Sequence, residues 1–324
     1  MPPSSSSAET AAGRVLVVGA GAIGGLIAAK LAEAPGVTVL LAARQPIERF
    51  TFTPLGGEPA EPDVAVLRDP SELSGPPGPP GLSWVVVATK TYDVGGVGRW
   101  LGRPAVAGAT VVVAQNGVGH QERLAPFVDP GRVVPALVTY GAGRPGPGRV
   151  VHTLDGMVRV PAGTGGEGFA ALAAPTSLNV EVVTDFATAQ WTKLAYNLVG
   201  NSISTITDLP VREIGRRPEL RRIGTALVDE ARKVAATQLA TLPADLAERM
   251  LDEFAAYPDT VRSSMWQDRQ AGRPLEHDAI SGAVVRVARS HNIDAPFSQM
   301  ATDLLETLSP VRAPASSVPR TAFT

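Results

Sequence analysis

Four short runs in the first third of the chain are apolar almost without interruption: V15-L-V-V18, V37-T-V-L-L41, W84-V-V-V-A88 and T110-V-V-V-A114. Runs of this length without polar alternation belong to strands covered on both faces, as in parallel sheets. Helical patterns over 22–34 and about 118–126 separate them, which predicts βαβ units and a doubly wound α/β sheet. The stretch from Pro54 to Gly81 is rich in Pro and Gly and predicts at most one or two weak strands, such as V64-A-V-L67. Beyond it, V133-V-P-A-L-V-T139, R149-V-V-H152, V158-R-V160 and V180-E-V-V183 are expected to pair antiparallel and to close one edge. The strand pattern stops near residues 184–187. The remainder reads as helical: Pro218 fits the first turn of a helix to about residue 240. Further helices are expected over 244–256, 259–271, 276–290 and 297–308, with Gly272-Arg-Pro274 separating two of them.

Three glycines turn the first of these units into a candidate site. Gly19, Gly21 and Gly24, with Ala20, Ala22 and Ile23 between them, form G-x-G-x-x-G between the first strand and the first helix. In that context the first glycine permits a tight turn and the second lets a pyrophosphate approach the backbone. The third allows close helix–strand packing, with the helix N-terminus facing the phosphates. The expected architecture is therefore an N-terminal Rossmann-type doubly wound sheet over 13–185, followed by a C-terminal all-helical domain over 186–311. The Ser/Ala/Pro-rich ends, 1–12 and 312–324, are expected to be disordered. An NAD site usually carries Asp or Glu about 20 residues after the glycines. Here that place holds Arg44, whose guanidinium suits a 2′-phosphate and favours NADPH. Lys90 and Asn116 close the third and fourth apolar runs, and ligands of such sheets bind at the carboxyl ends of strands.

The helical half carries its own polar feature. In W191-T-K-L-A-Y-N-L-V-G-N-S-I-S-T205, Lys193, Asn197 and Asn201 are four residues apart, so they share one face of an otherwise apolar helix. An ammonium and two amides in such a place can hold a small polar molecule. If a hydride is added to a carbonyl, charge builds on the oxygen, and a positioned ammonium stabilises it and delivers a proton.

Composition narrows the alternatives. The chain has 324 residues, 44% hydrophobic and 19% charged, enough for two domains. A net charge of −2 and 5% aromatics give neither a basic field nor a stacking surface for nucleic acid. There is no cysteine, so thiol catalysis is excluded, and the four histidines (His120, His152, His277, His291) are scattered without metal-ligand spacing. No run is long and apolar enough for a membrane span, and the leader M1-P-P-S-S-S-S is uncharged, so a soluble cytoplasmic protein is expected.

The chain resembles the ketopantoate reductase (2-dehydropantoate 2-reductase) family. The resemblance is carried by G19-A-G-A-I-G24, K90-T-Y-D93, Q115-N-G-V-G119, K193-L-A-Y-N-L-V-G-N201, S263-S-M-W-Q-D268 and P274-L-E-H-D278, in the family's order. It implies NADPH-dependent reduction of a 2-keto acid to a 2-hydroxy acid in pantothenate biosynthesis, with Lys193 as proton donor to the alkoxide. It implies that Asn197, Asn201 and Ser264 hold substrate, and that Glu276 sits near both the nicotinamide ribose and the substrate. It implies cofactor contacts from Lys90, Asn116 and a backbone group at Gly141 or Ala142, and a homodimer through the helical half. Two departures stand out. Val211 replaces a third asparagine ten residues after Asn201, and Pro54–Gly81 matches poorly. Val211 leaves open another 2-keto acid, or an imine as in opine-type dehydrogenases. A protein that only senses NADPH is a further alternative, against which the intact Lys193 and Glu276 count.

Overall fold

The computed structural model describes residues 13–74 and 81–310. The expected tails at 1–12 and 312–324, and the 75–80 part of the Pro/Gly-rich stretch, lie outside the described residues. The chain divides into two compact units, Met1–Gln190 and Trp191–Thr324.

The first unit is built on a six-stranded parallel sheet. Its strands are β1 (Arg14–Val18), β2 (Thr38–Ala42), β4 (Val64–Leu67), β5 (Leu82–Val87), β6 (Thr110–Val113) and β7 (Val133–Pro135). They lie in the order β4-β2-β1-β5-β6-β7, and every pairing is parallel. Numbered within the sheet, this is the dinucleotide-fold order 3-2-1-4-5-6, whose topological switch point falls between β1 and β5. The unbroken apolar runs have the expected cause. Val15, Val17, Val39, Leu41, Val86 and Val112 enter the core that also holds α1 (Ala22–Leu31). Their neighbours Leu16, Val18, Leu40, Val85, Val87 and Val111 enter the opposite core, with α2 (Val94–Leu101) and α3 (His120–Leu124).

The expected antiparallel edge is not what forms. β7 extends the main sheet in parallel, because α3 intervenes between it and β6. The other segments make two separate small sheets. In one, β3 (Thr51–Thr53) pairs parallel with β10 (Arg149–Leu154), which pairs antiparallel with β9 (Gly141–Gly146). In the other, β8 (Leu137–Val138) pairs antiparallel with β11 (Val158–Pro161), but β12 (Val180–Val183) joins β11 in parallel. The helix α4 (Thr164–Ala173) is the crossover that forces this direction. Strands β9 and β10 lie on α1, where a Cβ at Gly25 would stand 2.5 Å from Val150 Cγ2.

The second unit is helical. It contains most of α5 (Phe186–Thr207), then α6 (Val211–Arg216), α7 (Pro218–Ala236), α8 (Leu246–Ala256), α9 (Ser264–Gln270), α10 (Ser281–Ser290) and α11 (Pro296–Leu308). Helices α6 and α8 meet backbone to backbone, since a Cβ on Gly215 would run into the Leu251 carbonyl oxygen. Helix α11 is anchored by a buried carboxylate. Glu230 of α7 accepts 2.8 Å bonds from the N–H groups of Phe297 and Ser298, the donors that a helix start leaves unsatisfied. Two expected helices are shorter than their patterns. The span 259–271 reduces to α9, because Ser263 caps its start. The span 276–290 is broken: a 3₁₀ turn covers His277–Ala279, and α10 begins only at Ser281.

Candidate active site

The glycine turn is built by close approach. Gly19 has φ +118°, and a Cβ on it would lie 2.9 Å from the Ala88 carbonyl carbon and the Thr89 nitrogen. The turn is thus pressed against the end of β5 across the switch point. A Cβ on Gly24 would collide with the Gly19 carbonyl oxygen, so the third glycine lets α1 pack on its own entry turn. Around Gly21 there is nothing within 4 Å of the Cβ position. Gly21 is also the N-cap of α1; no side chain caps that end and no acidic residue stands in its first turn. Open space at the second glycine before an uncapped helix N-terminus fits a pyrophosphate.

The neighbouring strand ends complete this half. Lys90, half-buried, precedes a 3₁₀ turn over Thr91–Asp93, closed by a 3.0 Å bond from Asp93 N–H to the Lys90 carbonyl. A residue that the motif reading passed over holds this turn. Gln115, buried at the end of β6, donates from Nε2 to the Thr89 carbonyl (3.1 Å), Thr89 Oγ1 (3.0 Å) and the Lys90 carbonyl (3.3 Å). Its sequence signal was the Q115-N-G string itself. Asn116 follows, half-buried, before Gly117 at φ +90°. Arg44 stands beyond β2 with its side chain 79% exposed, and its Nη1 lies 3.0 Å from Asp93 Oδ2. Arg44 and the Lys90 turn are therefore joined. Ala142 lies on β9 opposite His152, on the small sheet that packs on α1.

In the second unit, Lys193, Asn197 and Asn201 follow one face of α5, and Leu194, Ala195, Leu198 and Val199 beside them are buried. Lys193 and Asn197 are half-buried and Asn201 is buried. Burial pushes the Lys193 ammonium down from 10.5 to about 8, while the Glu276 carboxylate works against burial and pulls it up. The structure thus brings together two residues 83 positions apart in sequence. Glu276 is itself buried. It precedes the 3₁₀ turn and makes no side-chain cap bond, so a helix-capping role does not account for it. The loop leading to it is pinned on both sides. Arg273 donates to Asp268 Oδ1 and to the Asp268 carbonyl (both 2.8 Å), and Leu275 N–H donates to Ser309 Oγ (3.1 Å).

Ser264 is exposed as the first residue of α9. The hydroxyl tied to α5 is that of its neighbour, Ser263. It accepts from Trp266 N–H (3.2 Å) and lies 2.8 Å from Ser204 Oγ, which donates to the Gly200 carbonyl (2.6 Å). The start of α9 is thereby fixed one turn beyond Asn201. Val211 is buried at the start of α6 and adds no polar side-chain group. Among the described residues no group of three or more His, Cys, Asp or Glu is placed to hold a metal. No helix among them is long and apolar enough to cross a membrane.

Comparison with known proteins matches both halves. Residues 15–165 match the family described as Ketopantoate reductase PanE/ApbA, and residues 185–309 match Ketopantoate reductase PanE/ApbA C terminal. The 2-dehydropantoate 2-reductase of Caulobacter vibrioides is 36% identical over 296 residues, covering 90% of this chain and 97% of that one. The Mycobacterium tuberculosis protein of the same name is 30% identical, with 91% and 97% covered. Among solved structures, 2-dehydropantoate 2-reductase from Geobacter metallireducens superposes with a TM-score of 0.81 at 27% identity, covering 91% of this chain and all of that one.

Proposed function

The chain belongs to the ketopantoate reductase family of oxidoreductases, and from that premise we propose that it reduces ketopantoate to pantoate with NADPH. The observation that carries this reading is Lys193, on one face of α5 with Asn197 and Asn201 and under the charge of the buried Glu276. In the proposal, residues 13–185 hold the cofactor and residues 186–311 hold the substrate and the proton donor.

The glycine turn fits a dinucleotide by the test of space: Gly21 is open where Gly19 and Gly24 are filled. The N-terminus of α1 would receive the pyrophosphate, Arg44 the 2′-phosphate, and Lys90, Asn116 and the Ala142 backbone the rest of the cofactor. When bound, the reduced nicotinamide supplies the hydride for the keto carbon. As that carbon is attacked, the carbonyl π electrons move onto oxygen. Lys193 stabilises the charge and gives its Nζ proton to the alkoxide. An amine near 8 is mostly protonated at neutral pH yet gives up its proton readily, which suits this step. Glu276 keeps the buried lysine charged before the reaction. Asn197, Asn201 and Ser264 are assigned to the carboxylate and hydroxyl groups of the substrate.

The test is oxidation of NADPH, followed by its absorbance, with ketopantoate against a panel of other 2-keto acids. Preference for ketopantoate and its loss in Lys193→Ala, with NADPH affinity retained, is the expected result. No turnover of any member would overturn the reading. One observation favours a second acceptor: Val211 presents an apolar side chain where the family pattern has an amide, so a less hydroxylated 2-keto acid belongs on the panel. A homodimer is also part of the proposal. Phe297, Met300 and Leu304 form an exposed apolar stripe on α11, and size-exclusion chromatography tests it.

A further inference from the structure

The second-strand position that carries an acid in NAD sites carries Arg44 here, but the structure brings a carboxylate to its guanidinium from another loop. Asp93 closes the turn after Lys90, and its Oδ2 lies 3.0 Å from Arg44 Nη1. The two partners differ in freedom. The Arg44 side chain is 79% exposed, whereas the Asp93 side chain is 13% exposed and is held on the turn whose backbone Gln115 and Lys90 fix. Asp93 is thus the fixed member and Arg44 the movable one.

We infer that Asp93 is a specificity-determining residue that moderates this site's preference between NADPH and NADH. The inference rests on the proposed role of Arg44 at the cofactor's adenosine ribose. A guanidinium has donors to spare, so Arg44 can hold Asp93 by Nη1 and offer its other edge to a phosphate. The carboxylate nevertheless remains beside the arriving group. A 2′-phosphate carries close to two negative charges and meets a local pair of net charge zero. A ribose 2′-hydroxyl meets an acceptor of the kind that acidic residues provide in NAD sites. Asp93 therefore weakens the phosphorylated cofactor and favours the unphosphorylated one. A lone arginine at this position discriminates between them more sharply.

The size of the effect follows from charge alone. A carboxylate and a dianion about 6 Å apart in a water-like dielectric repel enough to change binding about tenfold, less in high salt. The experiment is fluorescence titration of the full-length protein with NADPH and with NADH, at low and high salt, for the native chain and for Asp93→Asn. The expected result is that the ratio of Kd for NADH to Kd for NADPH rises about five- to tenfold in the variant at low salt, with a smaller rise at high salt. A ratio that is unchanged or lower overturns the inference. If Asn disturbs the turn, as circular dichroism would reveal, Asp93→Ser removes the same charge and is judged by the same ratio. Asp93→Glu, which keeps the charge, is expected to stay close to the native ratio. Arg44→Ala separates the two levels of the reading. If it leaves NADPH affinity unaltered, the 2′-phosphate role of Arg44 fails. If it weakens NADPH while Asp93→Asn does nothing, only the role of Asp93 fails.

Discussion

Replacing Glu276 by Gln tests the electrostatics of the proposed proton donor directly. Lys193 is lowered from 10.5 to about 8 by two opposed causes, burial downward and the Glu276 carboxylate upward. The net effect is that the folded chain favours the neutral amine more than water does. Without the carboxylate only burial remains, so the amine must titrate still lower. A nearby opposite charge shifts a buried group by about one unit or more. In the proposed mechanism reduction uses the protonated lysine, so kcat/KM for the native chain is expected to fall above about pH 8. In the variant the same falling limb begins at lower pH, so the protonated fraction and the reductive rate at neutral pH drop with it. The assay is kcat/KM for 2-keto acid reduction across pH at saturating cofactor. Position and height of the profile separate the effects. A lost substrate contact lowers the whole curve, whereas a lost charge moves its limb. The oxidative direction needs the neutral amine, so its rate should rise through the pH at which reduction falls. A limb that stays in place or moves upward in Glu276→Gln refutes the coupling, and parallel limbs in both directions refute Lys193 as the proton carrier.

Gly24→Ala should damage the fold, because its Cβ meets the Gly19 carbonyl oxygen; overpacking of this kind costs about 1–3 kcal/mol, read as a lower thermal midpoint. Gly21→Ala meets nothing within 4 Å, so its thermal midpoint should stay near native while cofactor affinity falls; equal loss of stability in the two variants would contradict the roles assigned to them. Glu230→Ala leaves the Phe297 and Ser298 N–H groups without their acceptor at a buried helix start, a cost of about 2–4 kcal/mol, and a melting curve like the native one would show that water replaces the carboxylate. Because the folded-state pKa of Lys193 is depressed, its stabilising term is complete above the unfolded value of 10.5 and is lost as pH falls through about 8. Native stability relative to Lys193→Met should therefore rise between about pH 8 and 10.5, and a flat difference over that window would refute the depressed pKa.

The doubly wound sheet was legible because each of its central strands is buried on both faces. Val15 to Val18 send alternate side chains into two different cores, and both cores demand apolar residues. The small sheets were not legible, for two physical reasons. Strands such as β3 and β8 have three and two residues, too few to show any period, and β9 reads G-A-G-R-P-G, a turn composition held extended by its pairing with β10. Strand direction was hidden in the connection. T164-G-G-E-G-F-A-A-L-A173 has three glycines among its first five residues, so its helix was missed, and the runs at Val158 and Val180 were expected to be antiparallel. The glycines are there because α4 packs closely. A Cβ at Gly165 would stand 2.5 Å from Val134 Cγ2, and one at Gly166 would hit the Pro161 carbonyl oxygen. Propensity and packing disagree in this helix, and packing prevails.

The site divides along the same line between local and distant contacts. Lys193, Asn197 and Asn201 were legible because their spacing and the helix that shows it are one local fact. That the Glu276 charge acts on Lys193 was not, since its position depends on how the loop after Gly272 is pinned by Asp268 and Ser309. Ser263 and Ser264 show how little displacement matters to a sequence pattern and how much to chemistry. The hydroxyl that caps α9 joins α5 through Ser204, while its neighbour, about 100° further round the helix, is exposed. The Arg44–Asp93 pair is the sharpest case. Each residue alone has a plain reading, a phosphate ligand and a turn aspartate. Only their 3.0 Å contact makes them one electrostatic unit whose net charge differs from that of the arginine by itself. If the inference drawn for Asp93 holds, cofactor preference here is a property of the pair, and the second-strand residue read alone overstates the selectivity for NADPH.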